Sequence, residues 1–99
     1  MEIVTVTKEN FNEVVQNKTI LLDFWAAWCG PCRMLSPVLE QLAKEENLAV
    51  GKVNVDEQEE LSAAFNISSI PALFLVKDGK VVNKTVGYQS LEQLKEFVK

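Results

Sequence analysis

Between Ile20 and Ala27 the chain is an almost continuous apolar run, broken only by Asp23, and it leads straight into Trp28-Cys29-Gly30-Pro31-Cys32. A strand with apolar side chains on both alternating sets must be covered on both faces, which places it at the centre of a sheet with helices on either side. Directly after it, Leu35, Val38, Leu39 and Leu42 recur at helical spacing and predict a helix over about Pro31–Glu45 that opens at the cysteines. Pro31 suits the first helical position, where a backbone N–H would have no intrahelical partner anyway. Pro37 lies inside this helix and offers no N–H to the carbonyl of Arg33. That costs ~3 kcal/mol in a regular helix and predicts a bend.

The other segments alternate in the same way. Ile3-Val4-Thr5-Val6 is a short β-branched strand, and Thr7 can cap a helix that sets Phe11, Val14 and Val15 on one face. Leu48–Val55 reads as a strand. Asp56, with Glu59 three residues on, is a capping pattern for a short helix that buries Leu61, Ala64 and Phe65 and stops at Asn66. Ala72–Val76 and Val81-Val82 flank Asp78-Gly79, a pair that tolerates positive φ and signals an antiparallel hairpin. Ser90 and Gln93 form a capping box ahead of Leu91, Leu94, Phe97 and Val98, an amphipathic helix running to the C-terminus. The order βαβαβαββα predicts an α/β fold, a central mixed β-sheet flanked by α-helices with right-handed crossovers between parallel strands. A chain of 99 residues, 47% of them apolar, supports one core and is too short for two ordinary domains, so residues 1–99 read as a single domain.

Composition excludes several chemistries. The chain has no histidine, which removes Cys/His and Ser/His/Asp catalysis, histidine-ligated metals and a histidine pH switch together. Its 2 cysteines are too few for a four-cysteine zinc or iron-sulfur site within one chain. A net charge of −4 without a Lys/Arg cluster argues against nucleic acid as a partner. No apolar stretch approaches the ~20 residues of a membrane span, and no basic segment precedes an apolar one at the N-terminus. A cytoplasmic location, with no membrane partner, is the expectation.

Residues three apart at the start of a helix have Cα atoms about 5 Å apart, inside the range a disulfide requires. Cys29 and Cys32 can therefore close without backbone movement. The free N–H groups and positive dipole end of the helix favour a thiolate on Cys29, making it the natural nucleophile. Cys32, one turn deeper, is less easily ionised yet within reach of any mixed disulfide on Cys29, which makes it the natural resolving thiol. As a staple, a loop this short would add only about 2 kcal/mol in the loop-entropy model, against ~3 for a loop of fifteen residues. A zinc or iron-sulfur pair shared across a dimer is the other alternative. Asp23 is costly to bury as an anion, so its pKa is expected to be raised; the plain alternative is a buried acid satisfied by a hydrogen bond. Trp25 and Trp28 are by default packing residues.

Asp23-Phe24-Trp25-Ala26-Ala27-Trp28-Cys29-Gly30-Pro31-Cys32-Arg33 resembles the active-site segment of the thioredoxin family. The likeness extends along the chain through Pro37, Lys52 in Lys-Val-Asn-Val-Asp, Ile70-Pro71, Asp78-Gly79 and Gly87. The resemblance implies the thioredoxin fold and general protein-disulfide reductase activity. It also implies that reducing equivalents come from NADPH through a flavin-dependent thioredoxin reductase, with no bound cofactor or metal. It puts Asp23 beneath the resolving cysteine, assisting its proton transfer, with Lys52 beside it. It arranges Trp28, Gly30, Pro31, Ile70, Pro71, Gly87 and Tyr88 around a docking surface for disulfide-containing protein substrates, where a substrate strand could pair near Pro71. It also implies a cis Ile70-Pro71 bond. A monomer is expected. Ser68-Ser69 and Ala72 depart from the common pattern, where a basic residue and Thr are frequent, and bear on partner preference. The competing readings are a binding module that uses the docking surface without electron transfer, and a disulfide oxidase or isomerase. Retention of both cysteines and Asp23 opposes the first; Gly30-Pro31 opposes the second.

Overall fold

A computed structural model describes residues 2–16 and 18–99. Its elements are β1 (Glu2–Thr5), α1 (Phe11–Val15), β2 (Thr19–Trp25), α2 (Gly30–Glu46), β3 (Ala49–Asn54), α3 (Glu59–Ala64), β4 (Ala72–Lys77), β5 (Lys80–Val86) and α4 (Leu91–Phe97). The strands form one five-stranded sheet in the order β1-β3-β2-β4-β5, so the apolar run does occupy the centre. β1, β3 and β2 are mutually parallel, and β4 pairs antiparallel with both β2 and β5. This is the mixed α/β arrangement expected from the order of elements.

The two-sided apolarity of β2 divides the core. Ile20, Leu22 and Phe24 face one way and join Val6, Val14, Val15, Val53 and Leu61, with the rings of Phe11, Phe65 and Phe74 packed edge-on around them. Leu21 faces the other way, with Leu35, Leu39 and Leu42 of α2, Val50 of β3 and Leu94 of α4. By strand alternation Asp23 belongs to this second face, the one α2 covers. It is the one polar residue in a fully buried strand core. Gly51 in β3 is needed for close approach: a Cβ there would sit 2.7 Å from Val6 Cγ2 and 3.0 Å from Leu22 Cδ2.

Local signals act as the sequence suggests in most places. Ser90 and Gln93 form the reciprocal capping box of α4. Asp78 (φ 49°) and Gly79 (φ 80°) make the hairpin turn, both with positive φ. Thr7 and Asn10 exchange hydrogen bonds, Thr7 N donating to Asn10 Oδ1 at 2.8 Å and Asn10 N to Thr7 Oγ1 at 3.2 Å, so the turn before α1 is closed three residues ahead of its first helical residue, Phe11. α2 runs unbroken from Gly30 to Glu46 with Pro37 inside it, and ends at Asn47 in the left-handed region. Two expectations are corrected. The apolar strand stops at Trp25, because Ala26–Trp28 turn the chain into the helix, with Cys29 N donating to Ala26 O. Asp56 does not cap α3: its first turn carries no side-chain cap bond, and the Asp56 carboxylate is engaged elsewhere.

Candidate active site

The register gathers the motifs at one edge of the sheet. Phe24, near the end of β2, pairs with Ala72 at the start of β4, and Ala72 pairs with Val86 at the end of β5. Trp25 pairs with Asn54 at the end of β3. The segments just beyond these residues, 26–32, 55–56, 70–71 and 87–88, must therefore meet. Ligands of open α/β sheets bind at this carboxyl edge of the parallel strands.

Cys29 is the N-cap of α2 and Cys32 lies in its first turn; their Cα atoms are 5.2 Å apart and the two are joined as a disulfide. The backbone N–H of Cys32 points at Cys29 Sγ from 3.2 Å. A helix N-terminus presents such N–H groups to an anion, so a thiolate on Cys29 has a donor in place. Both cysteines are nearly buried, packed with Ala26 and against Trp25, Val55 and Ile70. Cys29 Sγ lies 3.8 Å from the carbonyl oxygen of Ile70, and the Ile70-Pro71 bond is cis. Gly87 N donates to Pro71 O at 2.8 Å, which ties the end of β5 to this loop and sets Tyr88 beside it, 44% exposed. Trp28 is 69% exposed, and its indole Nε1 donates to Asp56 Oδ2 at 3.0 Å. Around the disulfide lies a surface of large exposed side chains on a buried sulfur pair, suited to a chain that docks first and exchanges second.

Asp23 is fully buried, and neither of its oxygens has a hydrogen-bond partner among the described residues. Burial pushes its carboxyl up from 3.8 to about 6, with the Lys52 ammonium pulling the other way. Lys52 pairs with Asp23 in register across β2 and β3, and its Nζ stands 3.6 Å from Asp23 Oδ2, an ion pair too long to be a hydrogen bond. Lys52 Nζ instead donates to Ser36 Oγ at 3.0 Å and lies 5.1 Å from the centre of the Trp25 ring. A cleft of about 310 Å³ bordered by Trp25, Lys52, Asn54, Glu57 and Gln58 opens alongside. Thus the structure brings Cys29, Cys32, Ile70, Pro71 and Gly87 into contact and joins Asp23 to Lys52. Trp28, Gly30, Pro31 and Tyr88 fall on the same edge.

Three participants escaped the sequence reading. Asp56 looks like a cap but holds Trp28. Arg33 Nη1 donates to Ala27 O at 3.1 Å and braces the turn that carries the first cysteine. Ser36 lies one helical turn beyond Cys32 on the inward face of α2; a lone polar residue beside the stripe of Leu35, Leu39 and Leu42 was the available signal. Among the described residues no group of His, Cys, Asp and Glu could hold a metal, and no helix is long and apolar enough to cross a membrane.

The sequence model of the thioredoxin family matches residues 2–99. Relatives include thioredoxins from Alicyclobacillus acidocaldarius, 50% identical over 91% of this chain and 89% of the relative, and from Staphylococcus haemolyticus, 48% identical over 99% and 96%. Thioredoxin from Bacillus subtilis is 43% identical over 99% and 96%. Among solved structures, a mutant thioredoxin from Halobacterium salinarum superposes with a TM-score of 0.92 at 39% identity, covering 98% of this chain and 88% of that one.

Proposed function

This chain belongs to the thioredoxin family, and from that premise we propose a division of labour for its protein-disulfide reduction, with Cys29 attacking and Cys32 resolving. The activity is dithiol-disulfide exchange. In the reduced protein, the Cys29 thiolate, supported by the N–H of Cys32, attacks one sulfur of a substrate disulfide. A Cys29–substrate S–S bond forms, and the other substrate sulfur leaves as a thiolate and takes a proton from solvent. Cys32 then gives its proton to the Asp23 carboxylate and attacks Cys29 Sγ. The Cys29–Cys32 bond forms, the mixed disulfide breaks, and the second substrate sulfur leaves reduced. Two electrons have passed from the cysteine pair to the substrate.

Asp23 suits the proton step because its carboxyl, at about 6, is ionised near neutral pH yet still basic enough to accept a thiol proton, and Lys52 stabilises the anion. Substrate docks between Trp28, Gly30 and Pro31 on one side and Gly87 and Tyr88 on the other, its strand pairing with backbone at Ile70-Pro71. Recharging of the pair falls to a thioredoxin reductase drawing on NADPH. The domain, residues 1–99, works as a monomer in the reducing cytoplasm. The single observation that carries the reading is the buried Cys29–Cys32 pair opening α2 with the Ile70 carbonyl 3.8 Å from Cys29 Sγ. The test is insulin precipitation driven by dithiothreitol, beside a variant with both cysteines changed to serine, then driven by NADPH and a thioredoxin reductase. Acceleration by the parent alone, under both electron sources, supports the reading. Equal rates for parent and double variant overturn it in favour of a binding module.

A further inference from the structure

We propose that Ser36 is a positioning residue: by accepting a hydrogen bond from Lys52 Nζ it holds the ammonium back from Asp23, so that the two meet as an ion pair and not as a hydrogen-bonded pair. The inference rests on the proposed role of Asp23 as proton acceptor for Cys32. Its basis is the geometry of three residues on the α2 side of the sheet. Lys52 Nζ has a hydrogen-bond partner in Ser36 Oγ at 3.0 Å and stands 3.6 Å from Asp23 Oδ2. Both Asp23 oxygens are otherwise unpartnered among the described residues, so the carboxylate offers the ammonium its strongest acceptor, and the serine hydroxyl still takes the shorter bond.

Ser36 is well placed for this. It follows Cys32 by four residues in α2 and therefore lies one turn along the same face. The helix that carries the resolving thiol thus also carries the tether on the lysine. The charged and polar groups around Asp23 and Lys52 are few. β3 supplies Lys52 itself, β2 supplies Trp25 under the ammonium, α2 supplies Cys32 and Ser36, β4 supplies only Leu73 opposite Asp23, and Glu57 lies across the cleft beside Lys52. No other cation is present to take over if Lys52 moves.

Without the hydroxyl, a side chain that is only 19% exposed must find another acceptor, and the Asp23 carboxylate is the nearest. Closing to hydrogen-bond distance favours the ionised acid, because a charge-assisted bond stabilises the anion. Ser36→Ala should therefore make Asp23 easier to ionise, whereas Ser36→Thr, which keeps the hydroxyl, should not. Alanine also favours the helix, so the fold is not at stake.

The experiment follows the Asp23 carboxyl carbon by NMR across pH 4 to 9 in the oxidised protein, for the parent, Ser36→Ala, Ser36→Thr, Lys52→Met and the Ser36→Ala/Lys52→Met pair. The expected result is a midpoint lowered by about one pH unit in Ser36→Ala. The midpoint should be unchanged in Ser36→Thr, and insensitive to Ser36→Ala once Lys52 is methionine. A midpoint in Ser36→Ala that stays put or rises, or a shift that persists without Lys52, overturns the inference. The acid limb of the rate of mixed-disulfide resolution should move with the midpoint. If the midpoint falls and that limb stays, the tether stands and Asp23 as proton acceptor fails.

Discussion

Asp23→Asn should raise stability near neutral pH, and the size of the gain can be worked from the structure. The acid is fully buried and its carboxyl sits at about 6 when folded against 3.8 ordinarily. Between those values the folded protein binds more protons than the unfolded chain, so wild-type stability falls as pH climbs from 3.8 to about 6 and is level above it. At ~1.4 kcal/mol per pH unit the whole fall is about 3 kcal/mol, a large share of the ~5–15 kcal/mol that holds a domain together. The amide does not ionise and escapes the fall. It also removes the partner of Lys52, but that loss is the same at every pH where the lysine is charged, and Lys52 retains Ser36.

The clean quantity is therefore a difference of differences. Urea denaturation of the oxidised protein, in which neither cysteine titrates, is run for both forms at pH 4, 6 and 8. The stability of Asp23→Asn relative to wild type should improve by about 3 kcal/mol from pH 4 to pH 8, with most of the change complete by pH 7. Other titrating groups shared by the two proteins cancel in this comparison. Parallel curves for the two proteins would refute the buried-acid argument, and a variant that loses ground as pH rises would show that the ion pair with Lys52 outweighs burial.

The cysteines give a second test. Cys32→Ser should still open a substrate disulfide but stop at the covalent complex, because a serine hydroxyl cannot displace it, and Cys29→Ser should trap little; non-reducing electrophoresis with mass spectrometry of the bands reads both, and equal trapping would reverse the assignment. Gly51→Ala should cost ~1–3 kcal/mol by overpacking, because its Cβ would stand 2.7 Å from Val6 Cγ2, and thermal unfolding that matches wild type would mean that Val6 yields without strain.

What the sequence discloses here is what is local. The cysteine pair, the capping box of Ser90 and Gln93 and the Asp78-Gly79 turn each depend on residues within one turn of chain, and each is found where the pattern puts it. β2 is legible for a different reason: burial on both faces leaves an apolar mark at every position but one. β5 is the converse case. It extends to Lys80–Val86, well beyond Val81-Val82, because an edge strand needs only the hydrogen bonds of β4 and carries almost no burial to betray it; six of its seven residues are exposed.

The site is legible only up to the point where two strands must be laid side by side. Asp23 announces itself as a misfit in an apolar run, and its fate depends on Lys52, which the parallel register of β2 and β3 puts opposite it. That register exists because β3 inserts between β1 and β2, a fact of sheet order that no spacing along the chain contains. Asp56 fails for the same reason: with Glu59 three residues on it has the form of a cap, and only the pairing of Trp25 with Asn54 brings it beneath the Trp28 indole. Ser36 sits at the end of this chain of dependence. Its helix face is set by Leu35 and Leu39, but its hydrogen bond requires a lysine delivered by the sheet, so a residue that reads as an ordinary interruption of an apolar stripe acquires its role only when helix and sheet are packed.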